Sequence, residues 1–389
     1  MRFSLSFAAN LALLAVANAQ SAELLSTALE DYDDLSLFRN LLAASPQALQ
    51  NAITGKSTNI TVLIPTNDAI SAYLKSSGIQ DVSSLGSSQI EIFFAYHIMS
   101  ASLKSTDFDD DRGAVVPTLL KKSEFNNRTA GAQLTKEYGA GATGQVLVAG
   151  SAKSSSRRIK RQDFKGPSVT LRAGLAQDAQ MTAIDGSWGP KKVNTFQVVD
   201  SVLLPPLACS TTIRSITKGQ LSALDAALNK TELYPTLDTT KNVTCLAPST
   251  SAFKAAGDPQ TSLPKSNLTH ALLAHTLKEV TYTTFLEDGM ILETYDNSTV
   301  TVHIKGDDIY FNNAKIIEPN VLTNNGLLHI LDAVIEAETD EPTGTSTASS
   351  DSPSSTSSSS ASASESNAAS ASSVGFHGLV ALVAGLMMM

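Results

Sequence analysis

Hydrophobic and polar positions follow two rhythms along this chain, in a set order that occurs twice. Residues 24–44, LLSTALEDYDDLSLFRNLLAA, repeat apolar positions at three- and four-residue spacing with acidic breaks, which predicts two consecutive helices. ITVLIP (60–65) is a β-prone run ended by proline, so a strand is expected there. TNDAISAYLKSSG (66–78) opens on a capping threonine and closes at Gly78, the pattern of a capped helix. SQIEIFFAYHI (88–98) continues as helix with its apolar stripe inward. QVLVAGS, SVTLRAG and TFQVVDSVLL alternate in part and read as strands. Helices first and strands later, without regular βαβ alternation, indicate an α+β class.

The order then repeats. NITVLIPTNDAI (59–70) and NVTCLAPSTSAF (242–253) share an asparagine sequon, an apolar run, a proline, a polar triplet, and alanine before a bulky residue. The run IEIFFAYHIMS matches THALLAHTLKE, setting His97 on His275. NTFQVVDSVLLPP, from Asn194, matches GLLHILDAVIEA, from Gly326, setting Asp200 on Asp332. Three blocks in one order, used twice, define a tandem module.

These blocks resemble the fasciclin domain, a family of extracellular adhesion modules. Thr61-Val62-Leu63-Ile64-Pro65-Thr66-Asn67-Asp68-Ala69-Ile70 is similar to the family's first signature, and Tyr96-His97 to its central Tyr-His motif. Asn325-Gly326-Leu327-Leu328-His329-Ile330-Leu331-Asp332-Ala333-Val334-Ile335 is similar to its second signature. The resemblance spans about residues 22–338 and implies two compact β-sheet cores with flanking helices. It also implies an adhesive role for the region around Tyr96, His97 and His275. The copies depart from the pattern at Asn194 and Gln197 in the first, and at Ser249, Thr250 and Ala274 in the second.

Segment boundaries follow. Residues 20–206 are expected to form the first module, with a long loop insertion around 120–170, and 207–338 the second. The spacing from His97 to Asp200 is 103 positions against 57 from His275 to Asp332, and the excess falls in Gly- and Ser-rich sequence expected on exposed loops. Residues 1–19 read as a secretory signal cleaved before Gln20. Residues 339–373 are expected to form a disordered Ser/Thr-rich stalk, and 374–389 read as an apolar tail too short to span a bilayer. Small residues, a polar spacer and that tail form the pattern of a lipid-anchor signal, with Asn367 as attachment site and Ser364, Ser366 and Ser370 as rivals.

Composition narrows the function. A net charge of −9 argues against a nucleic-acid partner. Sequons at Asn59, Asn127, Asn229, Asn242, Asn267 and Asn297 point to a glycosylated exterior. Cys209 and Cys245, the two cysteines of a chain bound for an oxidising compartment, are expected to form a disulfide. RRIKRQ (157–162) is the main basic cluster, with three readings: a solvated loop tip, a contact for an anionic polysaccharide, or a processing site after Arg161. DFDDDR (107–112) reads as an acidic turn, since it lacks the glycine and terminal glutamate of a calcium loop.

Tyr96-His97 invites a catalytic reading, but no nucleophile elbow or metal-ligand spacing accompanies it. His97 is therefore expected to order a core, and no catalytic residue, cofactor or metal is assigned. The expected function is non-enzymatic adhesion or cell-wall association at the cell surface, with a vacuolar address open. Expected partners are a wall polysaccharide or a surface or matrix protein, self-association included, and the membrane through a lipid anchor. Two rivals stay open: a surface hydrolase pairing His97 or His275 with Asp200 or Asp332, and a carrier of an apolar ligand.

Overall fold

The computed structural model describes residues 24–45, 53, 59–108, 112–139, 142–151, 169–216 and 219–336. The secretory leader, the stalk, Asn367, the apolar tail and Arg161 lie outside the described residues.

Among the described residues, fourteen strands form two seven-stranded sheets of matching order. In the first, β2 (Ile98–Met99), β1 (Thr61–Pro65), β7 (Asn194–Val199), β6 (Asp178–Trp188), β5 (Val169–Arg172), β4 (Val146–Ser151) and β3 (Ala114–Pro117) lie side by side. The second places β9 (Thr276–Leu277), β8 (Val243–Pro248), β14 (Gly326–Leu331), β13 (Ala314–Thr323), β12 (Asp308–Phe311), β11 (Thr299–Lys305) and β10 (Ile291–Glu293) in the same succession. Bridges between Met99 and Thr118 and between Leu277 and Thr294 join the sheet ends, so each sheet curls into a barrel-like form. Closure of this kind leaves few strand edges open to pairing with another chain.

The two signatures are neighbours in each sheet. β1 runs parallel to β7 and β8 parallel to β14, pairing Leu63 with Gln197 and Leu246 with His329. These inner strands are buried along their whole length, as expected where both faces are covered. Pro65 and Pro248 end the leading strands, and Thr66 and Ser249 then cap the next helices by accepting the Ala69 and Ala252 N–H groups, each at 3.2 Å. The exchange of Asn194 for Gly326 also has a local cause. A Cβ at Gly326 would lie 1.9 Å from the Val243 carbonyl oxygen, so β8 and β14 approach too closely for any side chain there. The first sheet begins its ladder one pair later, at Thr61 and Thr195, and tolerates asparagine.

Helices pack against the sheets. Among the described residues, those of six residues or more are, in the first domain, α1 (Ser36–Ala43), α2 (Asn67–Ser76), α3 (Ser87–His97) and α4 (Gly131–Tyr138); in the second, α5 (Cys209–Ser215), α6 (Ser222–Thr231), α7 (Tyr234–Thr239), α8 (Thr250–Ala255) and α9 (Lys265–Ala274). Each domain has one apolar cluster on its helical side, around Phe38 and Phe94 or Leu224 and Leu272, and another within the sheet, around Leu147 or Val302.

The extra length of the first domain is not all loop. Residues 118–145 join β3 to β4, where residues 294–298 suffice between β10 and β11. That connection contains α4, whose Leu134 is fully buried, and it carries Ala142 into a cluster with Tyr282, Leu322 and Leu327 of the second domain. Much of the expected surface insertion is thus the first domain's half of an interdomain seam. Burial of apolar surface favours this docked arrangement over a solvated loop. Polar contacts frame the seam. Gln145 Nε2 donates to the Thr323 carbonyl at 3.2 Å, the Thr129 N–H donates to Asn242 Oδ1 at 2.8 Å, and Arg172 pairs with Glu318 at 3.1 Å.

Candidate functional site

The three repeated blocks, far apart in sequence, meet at one histidine in each domain. His97 ends α3 with no exposed surface. Its Nε2 lies 3.0 Å from the Leu203 N–H, which must donate to it, so Nδ1 carries the proton and donates to the Phe93 carbonyl at 2.7 Å. His275 repeats the arrangement: Nε2 accepts the Ile335 N–H at 2.9 Å and Nδ1 donates to the Ala271 carbonyl at 2.8 Å. Leu203 and Ile335 each lie three residues beyond the matched aspartates. Both rings therefore fasten the end of a helix to the segment leaving the second-signature strand. Burial pushes the His97 imidazole down from its ordinary value to about 4, against the opposing pull of the Phe93 carbonyl. Burial lowers His275 too. A neutral ring with both nitrogens engaged offers no lone pair to a substrate proton.

The aspartates are occupied as well. Asp200 Oδ1 accepts the Gln180 N–H and Asp332 Oδ1 accepts the Lys315 N–H, both at 2.8 Å. Their own N–H groups donate to the carbonyls of the same two residues. Each aspartate thus extends a β ladder by a side-chain bond, and neither orients a histidine.

Other positions keep their task while changing residue. Asn67 Oδ1 accepts the Leu37 N–H at 2.8 Å, and Thr250 Oγ1 accepts the Ala223 N–H at 3.3 Å. Each fastens the helix before the leading strand to the helix after it. Gln197 and His329 make a parallel case. Gln197 Oε1 accepts the N–H groups of Ile184 and Asp185, both at 3.0 Å, in the irregular stretch of β6. His329 Nδ1 accepts the Asn320 N–H at 3.3 Å in the irregular stretch of β13, while Nε2 donates to the Thr281 carbonyl at 2.8 Å. Asp185 and Asn320 both have positive φ, near 50°, and both accept an N–H from the short 3-10 turn that comes after β2 or β9, from Ser105 at 2.7 Å and Thr283 at 3.1 Å. Sequence comparison registered Gln197 as a departure; the role it shares with His329 emerges only from these partners.

Tyr96 does not reach the surface. It is fully buried, and its hydroxyl donates to the Val146 carbonyl at 3.1 Å. Burial drives its ionisation far above the ordinary value, and Tyr282 of the second domain adds to this while Arg128 opposes it. Tyr96 therefore sits beneath the seam, and Tyr96, His97 and His275 form no exposed adhesive strip. Arg128, which sequence reasoning missed, is buried beside it. Its guanidinium donates to Gln145 Oε1 at 3.1 Å, to the Thr129 carbonyl at 3.1 Å and to the Gly144 carbonyl.

The expected disulfide is corrected. Cys209 and Cys245 are free thiols buried in the helical-side cluster of the second domain. Burial raises both, Cys245 to about 12, which keeps them protonated and packed as small apolar side chains. Of the sequon asparagines, Asn59, Asn229, Asn267 and Asn297 are exposed. Asn127 and Asn242 are half-buried at the seam, where Asn127 Nδ2 donates to the Thr239 carbonyl at 3.4 Å. Among the described residues, no group of three or more His, Cys, Asp or Glu side chains is placed to hold a metal ion.

With the geometry in place, comparison with known proteins adds three findings. The fasciclin domain model matches residues 33–161 and 219–337. A fasciclin-like arabinogalactan protein of Arthroderma benhamiae is 21% identical over 323 residues, covering 82% of this chain and 68% of its own. A FAS1 domain pair from the insect cell adhesion molecule Fasciclin I is 15% identical, covering 78% of this chain and 97% of its own, with a TM-score of 0.34.

Proposed function

We propose a function from one premise, that this chain belongs to the fasciclin domain family, matched in both domains: it is a non-enzymatic surface glycoprotein that binds a cell wall or extracellular matrix. The observation that carries this reading is where the motif residues direct their bonds. His97, His275, Asp200 and Asp332 are all engaged by backbone groups within the fold, so the shared motifs build a scaffold and leave recognition to the outer surface. The hydrolase alternative loses its base by the same geometry. The fungal relative, named as fasciclin-like and as an arabinogalactan protein, supports a place at the cell surface or wall.

The ligand is a wall polysaccharide or a surface or matrix protein, a second copy of this chain included. Two domains joined by a packed seam hold their outer faces at a fixed spacing, which lets two weak contacts act as one stronger one. Glycans at the exposed sequons and a lipid anchor near Asn367 complete the reading, and cutting at Arg161 would leave the strands on either side in one sheet. The test is retention of the purified intact protein on insoluble wall polysaccharide, on immobilised matrix protein and on itself. Saturable binding to one of these is expected. Failure to bind all three would overturn the proposal.

A further inference from the structure

The helical sides of the two domains differ at three aligned positions. The bonds of Asn67 and Thr250 set Leu37 against Ala223, and so Phe38 against Leu224. The matched histidines set Phe93 against Ala271 and Phe94 against Leu272. In the first domain the three rings form a chain that ends on His97. Phe93 stacks on the imidazole at 4.3 Å and 27°, with Phe94 5.2 Å from Phe93 and Phe38 5.4 Å from Phe94. In the second domain two leucines and an alanine take their places, and a cavity of about 50 Å³ lies against the two leucines, Leu224 and Leu272, and against His275. Leu228, Leu237 and Cys245 complete its floor.

We propose that this cavity seats the end of an alkyl chain. No charged side chain lines it. Both nitrogens of His275 are engaged by backbone groups, and the Cys245 thiol is a weak donor, so the floor offers little to a polar ligand. The volume is small for a compact organic ligand, which ordinarily occupies about 300–1,000 Å³. A slender chain fits, because Thr236, Thr240 and Tyr295 line the outer part of the cavity and are themselves partly exposed. An alkyl end enters there, buries its last carbons against the leucines and leaves its polar head in water. The site is independent of the adhesive reading.

The test is methyl-resolved NMR of the intact protein titrated with sodium decanoate below its micelle concentration. Saturable shifts are expected at the Leu224, Leu228 and Leu272 methyls. Leu272→Phe puts back the ring that Phe94 supplies in the first domain and should abolish the shifts at Leu224 and Leu228 while the melting curve stays cooperative. Phe94→Leu should open the matching slot and add a second set of saturable shifts in the first domain. It carries the test if Leu272→Phe does not fold. Absence of saturable shifts in the natural protein, their persistence in a folded Leu272→Phe variant, or no added set in Phe94→Leu would each overturn the assignment.

Discussion

The two domains solve one folding problem with different residues. Where the task is geometric the residue is kept: His97 and His275 make the same pair of bonds, as do Asp200 and Asp332. Where the task needs only a hydrogen-bonding group of suitable reach, the residue drifts, as from Asn67 to Thr250 or Gln197 to His329. Aromatic bulk drifts furthest, because side-chain volume can be exchanged with empty space at a graded cost. A repeat therefore conserves bonds more strictly than letters.

The strongest way to break this comparison is to remove the imidazoles. His97→Ala leaves the Leu203 N–H without its acceptor and a ring-sized void under Phe93, so a loss of about 3–5 kcal/mol is expected in urea unfolding. His275→Ala should cost less, about 2–3 kcal/mol, since no aromatic ring takes the place of Phe93 at Ala271. Equal losses would remove the distinction drawn between the two helical sides.

Acid sharpens it further. Burial holds His97 and His329 down to about 4, from 6.5. Each is neutral when folded and binds its proton more readily when unfolded. Their contribution is therefore complete above pH 6.5 and is lost as pH falls through 6.5 towards 4, about 3 kcal/mol for each ring. The first domain has Gln197 where the second has His329, and His275 is also lowered by burial. The second domain should thus lose protection first when hydrogen exchange is followed from pH 7 to pH 4.5. His329→Gln should narrow the gap between the domains, and an unchanged gap would exclude His329 as its source.

The smallest effect tests sameness. Thr66→Ala and Ser249→Ala each delete one helix cap, and each should cost about 1 kcal/mol. Chemical denaturation of the two variants would expose any inequality between these caps.

Sequence periodicity made the strands and helices of both domains legible, because β1 and β8 are inner strands with continuous apolar runs and their caps follow at once. It also revealed His97 as a core residue, from the bulky apolar positions around it. The seam was not legible. Leu134 and Ala142 sit among small and polar residues, and an apolar letter announces burial without saying which domain covers it. Tyr96 was misplaced for the same reason: its partners are Val146, reached across fifty positions, and the surroundings of a seam that periodicity does not encode. Arg128 stands in a sequon and carries a charge, two signals of exposure, yet it is buried against Gln145 and two carbonyls. The cysteines followed a compartment argument that says nothing about local packing, and both are free thiols buried in the second domain's cluster.

The position of β14 has a mechanical consequence. It is an inner strand, antiparallel to β13 on one side and parallel to β8 on the other. A tug on the chain beyond Leu331 loads both ladders in shear, so their bonds resist together instead of peeling one after another. Ahead of them stand the bonds of residues 334–336: the Ile335 N–H to His275, the Glu336 N–H to Asn313, and the Val334 and Glu336 carbonyls accepting from Asn313 and Asn312. Under tension these links part first, a fuse that yields a few residues of slack before the sheet itself bears the force.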